Sequence, residues 1–112
     1  MVRGSIYERQ GQTAKALLEY DAAVRANGSD TQARAGIASL AMRTGQIELA
    51  RPQFEALLAM GYRPGRMHFG LGQVAERKGD KQTAIGEYRL ALQAEPGLPE
   101  ARAALARLGA QR

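Results

Sequence analysis

The sequence predicts an all-α fold, a right-handed solenoid of about three helix hairpins closed by a C-terminal helix, and three observations carry that reading. The first is a repeat: Arg9, Arg43 and Arg77 recur every 34 residues. Each is followed by a glycine (Gly11, Gly45, Gly79), then an alanine (Ala16, Ala50, Ala84), then an aromatic ring (Tyr20, Phe54, Tyr88). A fixed period of this length marks stacked units, each too small to bury its apolar face alone. The second is the spacing of apolar residues within a unit, which follows one face of a helix. The third is composition: 45% of residues are apolar but only 5% aromatic, as expected when thin helices pack closely through alanine and glycine rather than around a core of large side chains.

The elements follow in order. A shortened helix is expected from about Val2 to Gln10, and a second on the stripe Ala16, Leu17, Tyr20, Ala23 and Val24. The same stripe returns as Leu49, Ala50, Phe54, Leu57 and Leu58, and again as Ala84, Ile85, Tyr88, Ala91 and Leu92. Between the stripes lie helical segments from Thr31 to Arg43, Gly65 to Lys78 and Pro99 to Leu108. Each unit therefore reads as two antiparallel helices joined at Gly11, Gly45 or Gly79, glycine being suited to the left-handed residue that ends a helix. Ser29 with Gln32 reads as a capping box and Asp80 as an N-cap, while Pro64 and Pro99 fall near helix starts, where a missing N–H costs little. Pro52 falls inside a stripe, so either its helix starts late enough to place it near the first turn or the helix bends there. Counting back one period from Ala35 lands on Met1, so the first helix lacks its opening turn, and Arg3 stands in the column of Ile37, Leu71 and Leu105. The expectation is one domain over 1–112: a repeat over about 1–30 truncated at its N-terminus, repeats over 31–64 and 65–98, and a terminal helix over 99–110, as in a fragment of a longer array.

Charge and chemistry narrow the function classes. The net charge is +5, with 13 arginines against 3 lysines, which favours acidic partners, although no run of like charges forms a patch. The absence of cysteine excludes disulfides, thiolate catalysis and cysteine zinc sites. No 18-residue apolar stretch is present, so membrane insertion is not expected and the chain reads as soluble. His68 is the only histidine, which leaves a serine or threonine nucleophile without a choice of base and is a poor start for a metal site. Gly70 and Gly72 sit in a helical pattern, not in a phosphate-cradling loop. No catalytic residue, cofactor or metal is expected.

The helix hairpin with Leu71-Gly72, Gly79, Ala84, Tyr88, Ala91 and Pro96 in these relative places resembles the tetratricopeptide repeat. The match is strongest over 65–98. It is good over 31–64, where Leu57 replaces the usual alanine and Tyr62 the closing proline, and partial over 1–30, where Gly28 replaces that proline. The resemblance implies a concave groove lined by the first helices of successive units, receiving an extended or helical peptide. Carried over by spacing, the groove residues are Ser5, Glu8 and Arg9; Ala35, Ser39, Met42 and Arg43; Arg66, Phe69, Gln73, Glu76 and Arg77; and Arg107. Within the family, some members hold chaperone C-terminal carboxylates. The corresponding positions here are Met1, Ser5, Gly36, Arg66 and Gly70, of which only Arg66 is of the right type, so that specificity is not expected.

Two readings stay open for the arginines: a guanidinium ladder for an acidic peptide, or cations that each stabilise the C-terminal dipole of their own helix. Phe69 and Met42 either form an apolar pocket for a partner side chain or pack against a neighbouring unit. The implied function is a protein-interaction scaffold without enzymatic activity. Abundant alanine and arginine resemble bacterial usage, and in bacteria such repeats serve envelope, pilus or secretion assemblies, in cytoplasm or periplasm. The alternative is a docking or regulatory segment of a larger enzyme such as a transferase. Nucleic acid is not an expected partner, since no base-reading polar column recurs. Apolar edges at the two ends of the array make a homo-oligomer a further expectation.

Overall fold

The computed structural model describes residues 2–110, with side chains from Gly11 onward. Six helices follow one another: α1 (Val2–Ala26), α2 (Thr31–Arg43), α3 (Ile47–Ala59), α4 (Pro64–Arg77), α5 (Lys81–Ala94) and α6 (Pro99–Arg107). Each packs mainly on its neighbours in sequence. The radius of gyration is 15.2 Å, against about 13 Å for a compact domain of this length, as expected for an array.

Two hairpins are closed in the same way. Gly45 and Gly79 take φ of 80° and 81°. After them the Gln46 and Asp80 N–H groups donate to the carbonyls of Ala41 and Ala75, at 2.8 and 2.9 Å, which ends α2 and α4 in the left-handed glycine motif. Asp80 then starts α5 by accepting from the Thr83 N–H. At the start of α2 the cap is Asp30, which accepts from the Ala33 N–H at 3.0 Å, and not Ser29 as expected. Asp30 stands one residue nearer the helix, and its carboxylate is a stronger acceptor at a positive helix end. Pro64 and Pro99 are first residues of their helices, as expected. Pro52 lies in the second turn of a continuous α3, on its exposed side.

The first hairpin differs from the expectation. There is no turn at Gly11, and α1 runs through it as one 25-residue helix. The sequence offers a physical reason. Keeping glycine inside a helix costs only about 1 kcal/mol, so Gly11 permits a turn without imposing one. The solenoid therefore comprises two closed hairpins, flanked by α1 and α6.

The joints between units are built from rings seated on glycine. The Tyr20 ring lies where a Cβ on Gly36 would stand, and the Phe54 ring likewise covers Gly70. Tyr88 covers Gly72 of its own hairpin and joins Ala104 of α6 in one apolar cluster. A ring on each second helix thus enters a space left by small residues, which is how helices this thin exclude water from their joints. Leu57, at the family's alanine position, is fully buried with Ala38, Phe54 and Met67. Ala106 is exposed, because no helix follows α6 among the described residues to cover that column.

Candidate functional site

The first helices of the units, α2, α4 and α6, are tied side by side by polar side chains. Arg77 on α4 donates to the Met42 carbonyl at the end of α2. Arg107 on α6 makes a two-pronged pair with Glu76 of α4, its Nη2 lying 2.9 Å from Oε1. Arg66 reaches Glu100 across the same joint at 3.4 Å. A groove of about 410 Å³ lies along α4 and α6, lined by Phe69, Gln73, Glu76, Arg77, Tyr88, Glu100 and Arg107 among others. Five of the residues carried over by spacing, Phe69, Gln73, Glu76, Arg77 and Arg107, therefore meet in one place.

The centre of that groove is an acid held between two donors. The Tyr88 hydroxyl donates to Glu76 Oε1 at 2.7 Å. The Arg107 guanidinium, working against partial burial and assisted by Tyr88, holds the Glu76 carboxyl down at about 2. Burial, reinforced by the carboxylate beside it, pushes the Tyr88 phenol upward. Glu76 is thus an anion and Tyr88 a neutral donor across the physiological range. The Phe69 ring leans on Tyr88, with centroids 5.5 Å apart and planes at 40°. One side of Phe69 is thereby spent on packing while the other borders the groove.

The remaining expected residues fall elsewhere. Met42 is buried in the core with Phe54, Leu57 and Met67, so it forms no surface pocket with Phe69; the seat next to Ala38 and Ala41 is apolar and already filled. Ala35 packs at the edge of that core, and Ser39 is exposed on α2. Arg43 is exposed in the last turn of α2 and has no ion-pair partner among the described residues. Arg77 serves the end of the preceding unit's helix rather than standing free in a ladder. The side chains of Ser5, Glu8 and Arg9 lie outside the described residues. His68 meets Glu87 of α5 at 2.8 Å, inside the α4–α5 hairpin.

Sequence reasoning missed Glu100 and Tyr88 as groove residues. The signal for Glu100 was present, because Arg66 and Glu100 are opposite charges one period apart in the same column, and such columns meet across a joint. Tyr88 was assigned to packing alone, and its hydroxyl partner on another helix has no local signature. A second, wider groove was also missed. It has a volume of about 1150 Å³ and lies between α1 and the α2–α3 hairpin, with Leu17, Leu18, Ile37 and Leu49 on its walls. At the next joint the same places are held by Glu48 and Lys78, paired at 2.6 Å, where the first joint has Ala14 and Thr44.

No helix among the described residues is long and apolar enough to cross a membrane. Residues 35–99, more than half of the chain, match the tetratricopeptide repeat family. The chain is also similar to a probable biofilm formation methyltransferase, WspC, of Pseudomonas putida KT2440, at 39% identity over 74 residues. That stretch covers 66% of this chain but only 17% of the methyltransferase, so the chain corresponds to a small part of that protein. The 34-residue period, the glycine-closed hairpins and the ring-filled joints agree with the sequence match: the chain belongs to the tetratricopeptide repeat family.

Proposed function

We propose that the chain is a protein-interaction scaffold that takes a peptide or helix of a partner along the face of α2, α4 and α6, with no reaction of its own. The observation that carries this reading is the groove on α4 and α6, where an aromatic edge, an amide and two guanidinium groups lie together around a fixed carboxylate. An aromatic side beside fixed polar donors suits a peptide that inserts one apolar residue and is aligned through its backbone or acids.

The partner peptide is acidic in this reading. The helices α4 and α6 contribute Arg66, Arg77 and Arg107 to this face, against Glu76 and Glu100, while Arg43 of α2 lines the wider groove beside α1. The Arg66–Glu100 contact is long and exposed, so Arg66 can turn to an incoming carboxylate at little cost. An assembly role in a bacterial envelope, pilus or secretion complex fits such an adaptor. The similarity to part of a methyltransferase favours a second reading, in which these repeats dock or regulate a larger enzyme.

Fluorescence anisotropy with a labelled acidic peptide carrying one leucine or phenylalanine, and with its lysine-substituted counterpart, tests the binding reading. Binding of the acidic peptide should weaken on Phe69→Ala and on Arg66→Glu while the melting curves stay close to that of the parent protein. Equal binding of both peptides, or loss of binding only where stability is lost, removes the groove from consideration.

A further inference from the structure

We propose that two copies of this chain pair groove to groove across the wide opening between α1 and the α2–α3 hairpin. In the pair, α1 of one copy runs antiparallel along α1 of the other, and the two-fold axis passes beside Leu17 and Leu18.

The groove is apolar where its counterpart is charged. Leu18 and Leu49 border the opening at 72% and 40% exposure, above a floor closed by the buried Ile37. One period later the second joint shows how the same columns are built when they face water. Ala14, Leu17 and Thr44 of the first joint correspond there to Glu48, Arg51 and Lys78. Glu48 holds both cations, at 2.7 Å to Arg51 and 2.6 Å to Lys78. Leu18 and Leu49 correspond to Pro52 and Thr83. The first joint thus lacks this ion cluster and carries leucines instead, a composition that favours removal from water.

The charges on the rim identify the occupant as a second copy. The Glu48–Lys78 pair shows that the columns of Ala14 and Thr44 face each other, so Arg43, next to Thr44, marks the Ala14 end of the groove. Asp21 borders the same groove two turns further along α1, about 10 Å away. The rim therefore carries a cation at one end and an anion at the other. An antiparallel pair centred between Leu17 and Leu18 sets position 14 of each copy opposite position 21 of the other. Each Asp21 then meets the partner's Arg43 end, and the contact is made twice, as a two-fold pair requires. A parallel pair would bring like charges together. Both groups are available: Arg43 has no ion-pair partner among the described residues, and Asp21 holds only Arg25, in an exposed contact within α1 at 2.9 Å. The groove on α4 and α6 shares no lining residue with this one, so the pair leaves it open to a peptide.

Sedimentation equilibrium of the chain over a wide concentration range is the first test, and the expected result is a rise to twice the monomer mass. Leu18→Glu places two carboxylates beside the axis and should abolish that rise, while circular dichroism of the dilute protein keeps the parent's helical content. The rim charges give a sharper test. Arg43→Glu and Asp21→Arg should each weaken association roughly tenfold, because each sets like charges against one another twice. An equimolar mixture of these two variants should regain the parent's affinity, since in the mixed pair every acid again faces a base. A monomer at every concentration overturns the proposal, and if that monomer binds a leucine-rich amphipathic peptide in a manner that Leu18→Glu abolishes, the groove belongs to a helix of another protein. A dimer that Leu18→Glu leaves intact, or whose two charge variants fail to restore each other, overturns it as well.

Discussion

The seating of rings on glycine makes a prediction of opposite sign at two glycines of the same hairpin. At Gly72 an added Cβ would stand 2.5 Å from Tyr88 Cε1 and 2.6 Å from Cδ1, inside the roughly 3.5–4.0 Å at which carbon atoms rest. The ring has nowhere to go, since it is 1% exposed, leans on Phe69 and is tied through its hydroxyl to Glu76. Relieving an overlap of about 1 Å in a packed site costs about 1–3 kcal/mol. Replacing glycine by alanine inside a helix returns about 1 kcal/mol. Taking the middle of that range, the overlap wins, and Gly72→Ala should lose about 1 kcal/mol, or roughly 4–8 °C in melting temperature. Gly86, in the middle of α5, meets nothing within 4 Å. There only the helix propensity acts, and Gly86→Ala should gain roughly 0.5–1 kcal/mol. Urea and thermal unfolding followed by far-UV circular dichroism measure both. If Gly72→Ala proves as stable as the parent, the ring is not confined and the account of the joints fails.

Other outcomes follow from single contacts. Because Glu76 has a folded-state value of about 2, below the ordinary carboxylate range, its pairing contributes stability that is complete above about pH 4.5 and is lost as pH falls through about 2. Melting curves taken from about pH 5 to pH 2 should therefore show a larger loss for the parent than for Glu76→Gln, by roughly 1 kcal/mol after screening is allowed for. Asp80→Ala removes the cap of α5 and should cost about 1 kcal/mol, while Gln46→Asp supplies a carboxylate to α3, which has no side-chain cap, and should gain a similar amount in urea unfolding. Leu57→Ala empties a fully buried site and should cost about 2–5 kcal/mol, an effect visible in the denaturation midpoint; a loss below about 1 kcal/mol would mean that the neighbours collapse into the space.

The sequence made the helices and their joints readable because both depend on local, periodic signals. Gly45, Gly79, Asp80, Pro64 and Pro99 act within a few residues of their own positions, and the ring and small-residue columns repeat at one interval. The open first hairpin was less readable because Gly11 has the same local surroundings as Gly45, and a glycine that permits a turn also tolerates a helix at small cost. The groove was readable in part for the same reason. Spacing brought Phe69, Gln73, Arg77 and Arg107 to one face, but whether a side chain on that face is free or already engaged depends on partners far along the chain. Met42 went to the core, and Arg77 to a carbonyl 35 positions earlier.

The ring seats also govern curvature. Tyr20 and Phe54 rest on glycines of the next unit, whereas the corresponding seat for Tyr88 is Ala104, one methyl group larger. A larger residue at such a seat presses the next helix away from the ring, so substitutions along this column are expected to change the angle between neighbouring units more than the units themselves. Changing spacers between otherwise rigid parts is thus a means of adjusting the outline of the array while each hairpin keeps its own packing.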